Sequence, residues 1–261
     1  MVYRCPVCAA PLASDRRTYR CPSGHSFDIA REGYVNLLAG RAARSRAAGD
    51  EPAMVQARRQ VLDAGHFDLL RVALIRRVDR GTVLDVGCGE GFYSRPLDGH
   101  DEWVGGIDLS KTAVRLAAQR AKTIRYAVAN AFQLPVPDDS IETLLSVFGP
   151  VAGGEFARVL RPSGQLLVVA PGPDHLAQLK QVAFEQVEQH DPRGPRGFDE
   201  HLRRVEVERV SYDTIVQQPQ LSALLAMTPY TWQATSERTE RLAAIDRLQV
   251  TLDFSIISFR A

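Results

Sequence analysis

Val83-Leu-Asp-Val-Gly-Cys-Gly-Glu-Gly91 is the stretch that decides the fold. A short aliphatic run ends in a turn with glycine at 87, 89 and 91, where a missing Cβ lets backbone approach a ligand closely. A dinucleotide fingerprint reads G-x-G-x-x-G and places pyrophosphate on the N-terminus of the helix that follows. Here the third glycine comes one residue early, and Asp85 sits inside the strand end. That pattern suits a cationic, amino-acid-bearing nucleoside better than a pyrophosphate. Asp108 ends the next strand, 21 residues beyond Gly87, where a carboxylate accepts hydrogen bonds from both ribose hydroxyls. After a third strand, Asn130-Ala131 opens the segment where an adenine would be stacked and edge-bonded.

Working outward, Thr82–Val86, Trp103–Ile107, Ile124–Val128, Ile141–Val147 and Gln165–Ala170 read as strands. Helical stretches such as 110–121, capped by Ser110, lie between some of them. This alternation predicts an α/β fold with a mostly parallel sheet covered on both faces. Leu176–Glu188 and the stretch near Leu221–Met227 read as further helices, and Val205–Val216 and Leu248–Phe259 as two late, hairpin-like strands. Upstream, a helix starts at Pro52 and breaks at Gly65, and Phe67, Leu70, Leu74 and Val78 recur at the spacing of a second one. With the acidic residue and the strand order added, the glycine turn resembles that of class I S-adenosylmethionine-dependent methyltransferases, a Rossmann-like fold. A structural glycine turn and a nicotinamide site are the competing readings.

Cys5-Pro-Val-Cys8 and Cys21-Pro-Ser-Gly-His25 are paired turns separated by twelve residues. Each puts two ligands on one tight turn, so the two facing each other complete a Cys3His tetrahedron of the kind that holds structural zinc. The bland alternative is three reduced thiols and an incidental histidine. Clustered cysteines at a start with no apolar leader point to a reducing cytoplasm and to metal rather than disulfides. No run approaches the 18 apolar residues of a membrane span.

The chain has 261 residues, 32 basic against 31 acidic, for a net charge of +1. Residues 1–80 nevertheless hold 14 arginines and 8 acids, a net of +6, and the remainder a net of −5. A basic front on an acidic body points to an anionic partner. The expected organisation is therefore a zinc-ribbon-like module over 1–36, a basic linker with helices over 37–80, and a cofactor domain over 81–261.

The methyl acceptor is narrowed by what is missing. Covalent attack on a pyrimidine needs a cysteine in the later strands, and none follows Cys88. The Asn/Asp-Pro-Pro-aromatic signature of exocyclic-amine methylation is replaced by Phe148-Gly-Pro150, which favours a ring nitrogen or oxygen. Several separated motifs then make the chain recognisable. They are the four metal ligands, Glu32-Gly-Tyr-Val-Asn-Leu-Leu38, Gln56-Ala-Arg-Arg59, Leu62-Asp-Ala-Gly-His66-Phe67, the glycine turn, Pro171-Gly-Pro-Asp-His-Leu176 and Met227-Thr-Pro-Tyr-Thr-Trp232. In this order they resemble the RlmA (RrmA) family of 23S ribosomal RNA guanine-N1 methyltransferases, which includes a tylosin- and macrolide-resistance branch.

The resemblance implies that the zinc module reads an RNA hairpin while the larger domain holds S-adenosylmethionine and the target base, and it implies a homodimer. Arg16, Arg17, Arg20, Arg31, Arg41, Arg44 and Arg46 are then the candidates for phosphate contacts. Phe148, Tyr230 and Trp232 are the candidates to stack on a base that has left its helix. Core packing is the competing role for each aromatic, and plain solvation for each arginine. The acceptor site is expected at Phe148, Pro150 and His175, with Asp174-His175 as general base or orienter against a capping and structural role. An arginine- and alanine-rich composition favours the resistance branch. A methyltransferase acting on a small molecule or another RNA and a catalytically silent RNA-binding protein are the rival functions.

Overall fold

The computed structural model describes residues 3–15, 17–38, 52–183, 191, 194–228 and 235–261. Three short strands, β1 (Ala13–Ser14), β2 (Thr18–Arg20) and β3 (Ser26–Asp28), form an antiparallel sheet beside the two cysteine turns. Such a piece is too small to bury a core of its own. Its buried residues Tyr3, Leu12 and Cys21 instead join one apolar cluster with Leu84, Ile107 and Leu134 of the large domain. The Tyr3 hydroxyl donates to the Arg125 carbonyl at 2.7 Å, and the Arg4 N–H donates to the Pro135 carbonyl at 2.8 Å.

Among the described residues the large sheet contains eight strands, in chain order β4 (Val35–Asn36), β5 (Val83–Val86), β6 (Val104–Asp108), β7 (Arg125–Val128), β8 (Ile141–Val147), β9 (Leu160–Pro171), β10 (Arg203–Gln217) and β11 (Arg247–Arg260). Their spatial order is β10-β11-β9-β8-β5-β6-β7-β4. Only β11 runs against its neighbours, paired antiparallel to both β9 and β10. The late hairpin-like pair is therefore present, but β11 inserts beside β9 and leaves β10 at the edge. At the other edge, β4 lies parallel to β7, so Val35–Asn36, expected with the first module, extends the large sheet.

Val83 and Leu84 show why both faces are covered. Consecutive residues of a strand point to opposite faces. Val83 packs in one cluster with Leu62, Phe67, Leu70 and Val114, and Leu84 in the other with Phe156 and Phe198. The first face carries α1 (Pro52–Asp63), α2 (Asp68–Ile75), α3 (Lys111–Arg120), α5 (Ala177–Ala183) and α6 (Gln220–Ala226); the second carries α4 (Gly153–Val159). Ser110 caps α3 as expected, accepting from the Ala113 N–H. α4 and α7 (Ser236–Ala243), whose Leu242 packs into the first face, are helices that the sequence reading does not contain. Among the described residues, no helix is long and apolar enough to cross a membrane.

From β5 the chain builds β6 and β7 to one side, then returns to lay β8 on the other side of β5. That reversal is a topological switch point, where open α/β sheets form a crevice at the carboxyl ends of their strands.

Candidate active site and metal centre

The crevice is a cavity of about 770 Å³, in the upper part of the range for small-molecule sites. Its floor is the turn after β5. The N–H groups of Gly87 and Cys88 both donate to the Ile107 carbonyl, which seats the turn on β6. Gly89 donates to Asp108 Oδ2 at 2.9 Å and Ser110 N to Oδ1 at 2.7 Å, so Asp108 braces the turn and lines the cavity too. A carboxylate has about four acceptor positions, which leaves room for ribose hydroxyls. No α-helix opens after the turn. The chain runs through turns into a three-residue 3-10 segment at Arg95–Leu97, so a pyrophosphate would find no helix N-terminus here.

The three glycines do different work. Gly89 takes φ +54°, and a Cβ built on it would meet nothing within 4 Å, while Gly87 and Gly89 both line the cavity. Gly91 does not line it: a Cβ there would stand 2.5 Å from the Tyr126 hydroxyl oxygen and 3.2 Å from Ala117 Cβ. Gly91 is therefore needed for packing against β7 and α3. Gly91→Ala is expected to lower stability by about 2–4 kcal/mol, through overpacking at positive φ. Gly89→Ala is expected to melt within a few degrees of the parent while weakening cofactor affinity tenfold or more. Thermal melts and calorimetry with S-adenosylhomocysteine separate the two variants.

Asp85 and Asn130, expected at the cofactor, also lie off the cavity wall. Asp85 is 1% exposed beneath the turn, and burial pushes its carboxyl up to about 7. Asn130 uses its side-chain oxygen to accept from the Phe132 N–H at 3.0 Å, which shapes the loop that brings Ala129 and Ala131 to the wall. Sequence reasoning missed Arg58, Glu90 and Tyr93, which do line the cavity. Glu90 Oε1 accepts from Arg120 at 3.0 Å, and Arg120 also pairs with Asp63 at 2.8 Å. Burial raises the Glu90 carboxyl and the guanidinium opposes it. Glu90 Oε2 and the Tyr93 hydroxyl are buried with no hydrogen-bond partner among the described residues. A glycine floor open to a ligand, a ribose-competent carboxylate and two unsatisfied polar atoms fit S-adenosylmethionine.

Phe148, Pro150 and His175 line the same cavity. Phe148 follows β8 with φ +51°, a left-handed conformation that costs a bulky side chain about 1–2 kcal/mol. Its N–H is held by the Val169 carbonyl, and its ring tilts on Phe254 at 5.8 Å with 44% of the residue exposed. Strain of this kind persists where surrounding structure over-determines it, often at functional sites.

His175 is buried against Phe254, with ring centroids 4.8 Å apart. Its Nδ1 accepts from the Asp253 N–H at 3.3 Å, which places the imidazole proton on Nε2 and makes the ring a donor rather than a base. Asp174 does not act on it either: its carboxylate pairs with Arg209 at 2.5 Å. Of the roles expected for Asp174-His175, these bonds oppose the general base and are compatible with the orienting and the structural reading.

Asp253, on β11, is the residue that builds this wall. Its carboxylate is fully buried, accepts from Arg209 Nε at 2.7 Å and from the Asp174 N–H at 2.9 Å, and excludes any Cβ at Gly172. The Pro171–Leu176 motif is thus a turn wrapped around a carboxylate 77 residues or more downstream. Burial pushes the Asp253 carboxyl up, but Arg209 and the Asp174 N–H outweigh it and hold it below the usual range. A depressed carboxylate contributes stability that is present above its unfolded value near 3.9 and lost as pH falls through the folded value. Asp253→Asn is expected to cost about 2–4 kcal/mol at neutral pH, with the gap to the parent closing below about pH 4 in denaturant titrations.

The metal ligands converge. The candidate ligand atoms of Cys5, Cys8, Cys21 and His25 all lie within 4.8 Å of one another. Cys8 and Cys21 sulfurs are 3.6 Å apart, and His25 Nδ1 is 3.3 Å from Cys21 and 3.6 Å from Cys5. A tetrahedron with zinc–sulfur bonds of about 2.3 Å has edges of about 3.7 Å, so the four atoms fit zinc. Ala9 and Gly24 take positive φ to close the two turns, and Cys88 is far away in the cofactor turn. Arg17, Arg20 and Arg31 are exposed on this module. Arg16, Arg41, Arg44, Arg46, Tyr230 and Trp232 lie outside the described residues.

Comparison with known proteins agrees with this division. The family described as RlmA, N-terminal, matches residues 3–46, and a methyltransferase domain family matches 83–164. A 23S rRNA (guanine(748)-N(1))-methyltransferase of Streptomyces fradiae is 38% identical, covering 95% of this chain and 93% of its own. A Micromonospora griseorubida protein named for guanine-N1 methylation of 23S rRNA is 37% identical over 93% of this chain and 91% of its own. A Bacillus subtilis protein named for the same activity is 30% identical over 98% and 96%. The fold is that of an S-adenosylmethionine-dependent methyltransferase fronted by a zinc ribbon, and the chain belongs to the RlmA family of 23S rRNA (guanine-N1)-methyltransferases.

Proposed function

We propose that the protein transfers a methyl group from S-adenosylmethionine to N1 of a guanine in a hairpin loop of 23S ribosomal RNA. The observation that carries this reading is one cavity that joins a cofactor floor to an acceptor wall of Phe148, Pro150 and His175. The arginine-bearing Cys3His ribbon packed on the same domain supports RNA as the acceptor's carrier.

When bound, the cofactor supplies an electrophilic methyl on a sulfonium, and the protein's task is alignment. The guanine leaves its stack and enters beside Phe148, whose exposed ring offers a stacking face. The His175 Nε2–H is a donor suited to guanine O6, where negative charge gathers as N1 gives up its proton to bulk solvent. Exposed Arg17, Arg20 and Arg31 meet phosphates, so affinity falls with salt.

Such a reaction belongs in the cytoplasm with ribosomal RNA. A homodimer, implied by the family resemblance, is read by light scattering. Macrolide resistance is read from inhibitory concentrations with and without the gene. The decisive cellular experiment is primer extension on 23S RNA, because N1 methylation blocks the pairing edge. An arrest at a hairpin guanine that appears only with the active protein supports the reading and identifies the guanine. Unchanged extension across every hairpin overturns it.

A further inference from the structure

Asp191 also lines the cavity, and neither the cofactor floor nor the contacts of Phe148 and His175 account for it. The Gly194 N–H donates to the Asp191 carbonyl at 2.9 Å, and Gly194 takes φ +75°. A Cβ on Gly194 would run into Ile257 Cδ1 and stand 3.8 Å from Ala170 Cβ, so this segment is pressed against β11 and the end of β9. β11 also carries Phe254, on which the His175 ring rests. Asp191 and His175 are thus seated by the same two strands, while the cofactor floor follows β5, β6 and β7. An extruded guanine is read along one edge, which presents the O6 acceptor and two donors, N1–H and the 2-amine. The His175 Nε2–H supplies the donor that O6 requires. An ionised carboxylate only accepts, at about four positions, and so complements the other two groups. Arg196 lies 3.6 Å from one Asp191 oxygen with its own side chain 83% exposed, a pair that takes up only part of that capacity.

We propose that Asp191 reads the target guanine, accepting from its 2-amine and taking the N1 proton on its way to solvent. This deepens the guanine-N1 reading and rests on it. The N1–H bond breaks toward the carboxylate, and its electron pair stays on the ring, spread onto O6 where His175 donates. The N1 lone pair then bonds to the methyl carbon as the methyl–sulfur bond breaks, leaving that pair on sulfur. The Asp191 side chain is 33% exposed, so it passes the proton on to bulk water. The same pair of side chains rejects adenine, whose N1 carries no proton and whose 6-amine would face the His175 N–H.

Full-length, zinc-loaded protein is tested on two 23S RNA hairpins, with guanine or inosine at the position mapped by primer extension. Inosine keeps O6 and N1–H and lacks the 2-amine. The parent is expected to lose about tenfold in kcat/KM on the inosine RNA. Asp191→Ala is expected to lower kcat on the guanine RNA by about 100-fold or more and to treat the two RNAs within about twofold of each other. Asp191→Asn keeps an acceptor for the 2-amine but no base, so it is expected to retain the guanine preference while kcat falls. The kcat of both variants is expected to rise about tenfold per pH unit from about pH 7 to 9, because N1 then ionises unaided, while the parent stays nearly flat. The other titratable groups of the cavity, Arg58, Cys88, Glu90, Tyr93, Asp108 and His175, and the neighbouring Arg196, are common to all three proteins. Parent-like rates in the variants, or a guanine-to-inosine ratio in Asp191→Ala equal to the parent's, overturn the proposal. If the parent makes no 1-methylguanosine in the guanine RNA, the underlying reading fails and the proposal falls with it, a result distinct from the other two.

Discussion

Cys21→Ser, or removal of zinc with a chelator, is expected to abolish methylation of ribosomal RNA and unfold the first module, while S-adenosylhomocysteine affinity changes less than tenfold. Structural zinc sites contribute about 10–16 kcal/mol of apparent binding free energy in small modules. The three strands over Ala13–Asp28 contain two or three residues each and have no independent core to offset such a loss. Cys21 is buried in the cluster that also holds Leu84 and Ile107, so some destabilisation spreads to the adjoining face of the sheet. The cofactor floor survives because Gly87, Gly89 and Asp108 are fixed by backbone bonds to Ile107 and to each other. Metal content, a gel shift with the RNA and calorimetry with the cofactor product read the three effects separately. Full RNA methylation by metal-free protein would contradict the role given to the ribbon.

Asp108→Ala is expected to weaken S-adenosylhomocysteine by at least 100-fold. The substitution removes an acceptor for ribose hydroxyls, and hydrogen bonds to a charged group contribute about 1.5–3 kcal/mol each. It also releases the N–H groups of Gly89 and Ser110, so the turn loses its brace and α3 the support of its N-terminal segment. Asp108→Asn keeps an oxygen for one of these contacts and is expected to lie between the two. Calorimetry measures the affinity, and circular dichroism checks that the overall helix and strand content is kept. An affinity within threefold of the parent would remove Asp108 from the cofactor site.

Most of the fold is local information, and for that reason it was readable. β5 through β9 each carry a run of apolar residues, and Ser110 marks the start of α3 by capping chemistry that needs only three residues of context. The metal centre was equally legible, since each cysteine turn supplies two ligands within a few residues and the Cys3His set is complete within residues 5–25. Asp108 was found because it ends a strand, which in this architecture is where the crevice opens.

What escaped depends on contacts distant in sequence. The role of Gly91 is set by the Tyr126 hydroxyl, 35 residues away, and nothing in the glycine pattern distinguishes it from Gly89. The proton position on His175 is set by the Asp253 backbone across the sheet, 78 residues on. Asp253 itself looked like one more acid in a late strand. Its burial follows from β11 inserting beside β9, a pairing that alternation alone does not specify. Arg58 stood inside a recognisable motif, but only the approach of α1 to the glycine turn shows which of its two arginines faces the cavity.

The central claim is that a guanine N1 in 23S ribosomal RNA receives the methyl group. Purified zinc-loaded protein, S-adenosylmethionine labelled in the methyl group, and unmodified 23S RNA test it directly, followed by digestion to nucleosides and mapping of the label. The account predicts label in 1-methylguanosine alone, stoichiometric with the RNA and confined to one hairpin. Label in any other nucleoside, or none in the RNA while the protein binds cofactor, would contradict it.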